Sequence, residues 1–287
     1  MTSLLDDART RLGLSVLSRV AGPNALERRS RIRDTTGQRW FRPGSPITIV
    51  HADAATFIGG MRALLLQSLH PLAMAGVADH SGFRGDPWGR LQRTAAFLTT
   101  TTFGTTTDAQ RAIARVRGVH RRVHGTAPDG RPYAADDPDL LRWVHVAETD
   151  SFLAAYDKYG AKRLTADQRD EYVAQTAVVA RELGATDVPV TVDELRTTLR
   201  AYRPDLASTP AARSTARYLL VRPPVPITLR GPYAVMAAAA VGLLPWWARL
   251  PLRVPYLPLT EATVVRAGGL AFTEGVRWVM RPVNAQR

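Results

Sequence analysis

Residues 54–77 read AATFIGGMRALLLQSLHPLAMAGV, and this stretch decides the fold class. Phe57, Met61, Leu64, Leu65, Ser68, Leu69 and Leu72 recur at spacings of three and four. That period lays them along one helical face and predicts a long, strongly buried helix from Ala54 to Val77. Upstream, Pro43, Gly44 and Pro46 break the chain before ITIVHADAATFIGG opens the helix. Downstream, Ser81-Gly82 and Gly85-Asp86-Pro87 read as a loop, with Asp86 placed to cap a helix that has Pro87 in its first turn. That helix is expected from about Trp88 to Thr101, stopped by TTTTFGTTTD, with Asp108 capping the next from about Ala109 to Gly125. Asp129-Gly130 is a turn, and Asp137-Pro138 starts a helix over Leu140–Tyr159. Thr165 with Gln168 suggests a capping box, and shorter helical patterns follow at 192–202, 210–221, 232–244 and 261–281. No sustained two-residue alternation interrupts them. The expected architecture is all-α, a single-domain helical bundle, with residues 1–40 as an N-terminal helical extension to a domain over 41–287.

Composition narrows the chemistry. The 287 residues are 45% hydrophobic, enough for a sizeable core, and contain no cysteine. Disulfides, zinc–thiolate sites, iron–sulfur clusters and cysteine nucleophiles are therefore excluded together. The net charge is +13, from 36 arginines and only two lysines against 25 acidic residues. The arginines are scattered at helical spacing with few aromatics between them, and no nucleic-acid recognition motif accompanies them. An Arg-over-Lys, Ala-rich usage also fits a high-GC genome. Nucleic acid is not an expected partner. The N-terminus lacks the basic and apolar regions of a signal peptide, and Tyr233–Ala248 is a 16-residue uncharged run containing Pro245. Since a spanning helix needs about 20 residues, that run reads as a core helix, and a cytoplasmic protein is expected. Peripheral membrane contact is the alternative, because Trp246-Trp247 beside Arg249 and Arg253 resembles an interfacial anchor.

The common phosphate-loop, nucleophile-elbow and zinc-protease motifs are absent. Six histidines remain: His51, His70, His80, His120, His124 and His145. His120 and His124 stand at i and i+4 in GVHRRVHG and would share a helical face. Arg121 and Arg122 between them oppose a bare divalent cation but suit a haem, in which one imidazole ligates iron and arginines neutralise the propionates. Residues alone leave His120 and His124 equivalent. In RLQRT, Arg90, Arg93 and Thr94 also fall on one face, next to apolar neighbours. His70 before Pro71 and His145 beside Trp143 and Glu148 read first as histidines satisfied within the core.

Three blocks carry a family resemblance: QSLHPLAMAGVADHSGFRGDPWGRLQRT (67–94), VHRRVHGTAPDGRPYAADDPDLLRWVHVAETDSF (119–152) and LTADQRDEYVAQTAVVARELG (164–184). Together they resemble the oxygenase family of fungal MpaB and the rubber-cleaving latex clearing proteins, over roughly residues 40–250. The resemblance implies an all-α fold with a globin-like core and one b-type haem as cofactor. It also implies an Arg-x-x-Lys-Thr motif followed at a fixed interval by the iron-ligating histidine. Arg90, Arg93 and Thr94 fill that motif, and His124 stands 34 positions after Arg90, so the resemblance favours His124 over His120 as metal ligand. His120, Arg121 and Arg122 would then complete the cofactor site, with Arg90, Arg93 and Thr94 on the reacting side. Arg93 stands where the rubber-cleaving branch has lysine, and the helix before the loop carries Gln67 and Met74 but no carboxylate. The implied function is a haem b-dependent oxygenase using O2 on a small apolar substrate other than polyisoprene. A haem-binding protein without turnover and a membrane-peripheral helical protein are the alternatives.

Overall fold

The computed structural model describes residues 4–80, 86–223 and 225–285. The loop expected at Ser81–Gly85 lies outside them. The chain runs α1 (Leu4–Ala21), α2 (Ala25–Asp34), α3 (Pro46–Ala52), α4 (Ala55–Gln67), α5 (Pro71–His80), α6 (Pro87–Phe103) and α7 (Thr106–His120). A two-stranded antiparallel hairpin follows, β1 (His124–Thr126) and β2 (Pro132–Ala134). Then come α8 (Pro138–Tyr159), α9 (Ala166–Leu183), α10 (Val192–Ala201), α11 (Pro210–Val221), α12 (Arg230–Leu243) and α13 (Trp246–Leu252). The last stretch is the short α14 (Pro258–Thr260), a π-helical turn (Glu261–Val265) and α15 (Arg266–Ala285). The fold is all-α.

At the centre α4 lies against α8, burying Ile58, Leu65, Leu66 and Leu69 with Trp143, Val146 and Ala147. Gly59 sets how near the two helices come. A Cβ there would sit 2.6 Å from the Phe152 ring and 3.0 Å from its Cα. Gly59→Val therefore has to push α4 off α8, and overpacking of this kind costs about 1–3 kcal/mol. The expected result is a lower denaturant midpoint with an unchanged slope, and an unchanged midpoint would mean the helices do not meet there.

The expected helix from Ala54 to Val77 is two helices. Pro71 has no N–H to give and its ring crowds the preceding turn, so α4 stops at Gln67 and Pro71 opens α5. Before α4 the chain turns by 90° from α3. The corner is pinned by Asp53, whose carboxylate accepts the Ala55 N–H at 2.8 Å and both Nε and Nη2 of Arg277 at 3.1 and 2.7 Å. Among the described residues no single helix is long and apolar enough to cross a membrane.

Three other boundaries differ from the expected ones. The threonines 99–102 continue α6 until Gly104 ends it, and the cap of α7 is Thr105 rather than Asp108. Thr105 Oγ1 accepts the Asp108 N–H at 3.2 Å and donates to the Asp108 carboxylate at 2.8 Å. At its other end α7 finishes at His120, not Gly125. Arg121 and Arg122 turn the chain into β1, and Gly130, with φ +86°, closes the hairpin in a conformation open to glycine. The capping boundaries at Asp86 and Thr165 are those expected from sequence. The N-terminal α1 packs on α6 and α15.

Candidate functional site

A cavity of about 110 Å³ lies between α3, α6, α7, α8 and α9. Its wall is mostly apolar, including Ile47, Phe97, Leu98, Phe152, Val179 and Leu183. Into this wall are set three histidines, His51, His120 and His145, together with Glu148 and Tyr172. α8 supplies His145, Glu148, Thr149 and Phe152 because residues three, four and seven apart share one helical face. α6 supplies Phe97, Leu98, Thr101 and Thr102 by the same rule. Among the residues of α6 only Thr101 and Thr102 are fully buried, so most of its cavity-facing stripe is loosely covered.

Burial controls the charges. His51 is depressed to about 3 and His145 to about 4, and His120 is lowered as well, all chiefly by burial. Burial raises Glu148 to about 7. These side chains are half-buried by surface area because one side of each borders the cavity, whereas protein surrounds them elsewhere. At pH 5–6 the imidazoles of His51 and His145 and the carboxyl of Glu148 are therefore all neutral.

Hydrogen bonding separates the three histidines. His51 is held at both nitrogens, with Nδ1 2.8 Å from the Thr102 hydroxyl and Nε2 3.3 Å from the Tyr172 hydroxyl. His145 meets the Thr149 hydroxyl through Nδ1 at 3.4 Å, which leaves Nε2 buried without a partner. Nδ1 of His120 is likewise buried without a partner. A buried nitrogen left without a partner costs about 1–3 kcal/mol, so two on one cavity wall point to donors or acceptors available to a ligand. Among the described residues no three His, Asp or Glu side chains converge to hold a bare metal ion. A cofactor needing one imidazole from the protein has the donors it requires.

Glu148 supplies a pH test. It binds its proton more tightly folded than unfolded, so its stabilising contribution is whole below about pH 4.5 and disappears as pH rises towards 7. The change is on the order of 3 kcal/mol. The buried histidines act oppositely, losing stability as pH falls below 6.5. Glu148→Gln should thus leave the histidine part and remove the rest. The stability difference between parent and variant is expected to shift between pH 4.5 and 7 in denaturant titrations; parallel curves would mean that water reaches the carboxyl freely.

The residues singled out from the sequence do not all meet. His120 lines the cavity. His124 lies on β1 with its side chain exposed and takes no part in the wall, and Arg121 and Arg122 are exposed too. The i, i+4 relation that paired His120 with His124 lapses because α7 ends between them. Arg90 and Thr94 continue the stripe of Phe97, Leu98 and Thr101 toward the N-terminus of α6. α6 and α7, joined at Gly104-Thr105, pack on one another, and the α6 residues that share the wall with His120 are Phe97, Leu98, Thr101 and Thr102, not Arg90 or Thr94. Arg90 is half-buried, and its guanidinium is lowered by burial and by the charge of Arg93. Arg93 and Thr94 are exposed, with Arg93 paired to Asp86 at 3.2 Å. Glu148 and His51 were not candidates for the site in the sequence. The signal for Glu148 is its i, i+3 pairing with His145 inside an otherwise apolar stretch, and no local pattern marks His51.

A comparison with protein families decides the ancestry of this arrangement. The catalytic-domain family described as ER-bound oxygenase mpaB/B'/Rubber oxygenase matches residues 48–281. The chain belongs to this family. The match takes in every cavity-lining residue except Ile47. No curated protein and no solved structure matches. As a member of an oxygenase family the chain is assigned to oxygenases in general.

Proposed function

We propose that this chain is a haem b-dependent oxygenase of a small apolar substrate, with His120 as the iron ligand. The reading is carried by the two unpartnered buried nitrogens, His120 Nδ1 and His145 Nε2, on one apolar cavity wall. Neutral imidazole is the ligating form, and burial favours that form in both rings. His120 is preferred to His145 because His145 already holds the Thr149 hydroxyl through Nδ1. Arg90 and Arg93 offer positive charge to the carboxylates of a haem edge. His124, Arg121 and Arg122, on the exposed side, take no role.

When bound, haem supplies the activation of O2. The protein's own residues do the rest. Phe97, Leu98, Phe152, Val179 and Leu183 keep water out and favour an apolar substrate. The Glu148 carboxyl keeps its proton to about pH 7 and can deliver it to a reacting atom in the cavity. Tyr172 and Thr102 fix the His51 ring and so hold the wall of α3 in place. A cavity of about 110 Å³ holds the reacting end of a ligand rather than a whole macrocycle.

The test is turnover in the presence of haem with isotopically labelled O2 and a set of apolar olefins. Label in the product is the expected result. Haem uptake without substrate-dependent O2 consumption would favour the carrier alternative instead.

A further inference from the structure

A second region, remote in sequence from the cavity wall, has a different chemistry. Between Trp246 and Val264 the chain leaves large apolar side chains in solvent: Trp246 is 68% exposed, Leu250 84%, Leu259 84% and Val264 70%, with Tyr256 and Leu257 between them. Scattered single apolar residues on a surface need no explanation, but six within 19 positions do. Two of the six, Trp246 and Tyr256, meet in space, and the others lie along the same short segment. Trp246, Tyr256 and Pro258 line one groove with Lys158, Arg249 and Glu261. Arg249 is buried beneath it, holding the carbonyls of Gly242 and Leu244 at 3.0 and 2.9 Å and the Glu261 carboxylate. That scaffold fixes α13 and the start of the π turn, with the Tyr256 ring 4.8 Å from the Arg249 guanidinium and the outer apolar side chains left in solvent.

The sequence around these side chains is strongly basic. From residue 203 to 285 there are ten arginines against one aspartate, Asp205, and two glutamates. Both glutamates are paired, Glu261 with Arg249 and Glu274 with Arg277 at 2.7 Å. Arg203 lies over the rings of Trp246 and Trp247, 5.8 and 5.4 Å from their centroids. Arg253 and Arg266, within and just after the same segment, are exposed. Aromatic rings with arginine on their faces, ringed by further cations, suit the boundary between acyl chains and anionic headgroups.

We propose that the Trp246–Val264 face docks on an anionic lipid surface, Trp246, Leu250 and Leu259 entering the acyl boundary while Arg253 and Arg266 meet the headgroups. A second copy is a poorer occupant, since a two-fold pairing would set the same arginines against one another. A neutral apolar partner would leave them uncompensated. This inference does not depend on the haem reading.

Sedimentation of the full chain with vesicles tests it. Binding is expected to vesicles of phosphatidylcholine with about one quarter phosphatidylglycerol, to weaken as salt rises, and to be slight on phosphatidylcholine alone. The variant Trp246→Ser with Leu250→Ser and Leu259→Ser should lose at least about tenfold in partitioning. Arg253→Glu with Arg266→Glu should lose the preference for anionic vesicles. Ile227→Ser, which alters an exposed apolar residue on the separate turn Ile227–Leu229, should bind as the parent does. All substituted side chains are exposed, and matching helical circular dichroism would verify their folding. The proposal is overturned if the triple variant binds like the parent, or if the parent binds neither vesicle. A parent that dimerises in solution, with the triple variant monomeric and neither on vesicles, would assign the face to a second copy and overturn it as well.

Discussion

His120→Ala is expected to lower haem affinity on the order of 100-fold or more and to abolish turnover, while His124→Ala changes neither. Losing a group that merely orients a metal ligand costs 10–100-fold, and losing the ligand itself should exceed that. The contrast is sharp because the two residues are four positions apart yet differ in surroundings. One is at the end of α7 on an apolar wall with a buried nitrogen unpaired, and the other is exposed on β1. Exogenous imidazole added to His120→Gly should restore a histidine-like spectrum, which a purely structural role would not allow. His145→Ala should keep the axial-ligand spectrum and weaken binding less, since the Thr149 bond already occupies one of its nitrogens. If His124→Ala were the variant that lost haem, the outer face would be the site and the cavity reading would be wrong.

The second large effect concerns stability. Arg62, on α4, is buried and reaches Asp150 on α8 at 2.7 Å, a contact that is ionic rather than an aligned hydrogen bond. It also donates to Ser151 Oγ at 2.6 Å and the Leu243 carbonyl at 2.9 Å, tying α4, α8 and the end of α12 together. Removing one partner of a buried pair strands the other's charge, which typically costs 3–5 kcal/mol. Arg62→Met is therefore expected to bring the chain close to unfolding at ordinary temperature, given a total stability of about 5–15 kcal/mol. Replacing both residues by apolar ones, Arg62→Met with Asp150→Leu, should recover much of the loss. Equilibrium denaturation of the single and double variants measures this coupling, and a single-variant loss under about 1 kcal/mol would mean that the pair is solvated.

Local signals in the sequence read through to the structure where a short-range rule decides. The Thr165 box, with its hydroxyl on the Gln168 N–H and the Gln168 side chain returning to the Thr165 N–H, needs only four residues to form. Asp86 on the Gly89 N–H is of the same kind. The apolar period of 54–77 correctly marked buried faces but ran past Pro71, because period reports which side is buried and not where the ladder breaks. α7 was over-extended for a related reason. Arg121–Gly125 keeps helical spacing, and only the pairing of His124 with Ala134 across the hairpin turns it into a strand. The cavity was the least legible feature. Its wall joins residues from Ile47 to Leu183, and no local pattern says which apolar faces close on one another. His145 looked like a histidine satisfied by its own helix, and at Nδ1 it is, but its other nitrogen is the informative one.

The most direct measurement is a pyridine haemochrome assay on the full chain purified from cells supplied with haem precursor, with haem counted per chain. One haem b per chain, with the absorption of a histidine-ligated iron, is the expected result. A colourless chain that takes up no added haemin while fully folded would contradict the assignment of this cavity as a haem site.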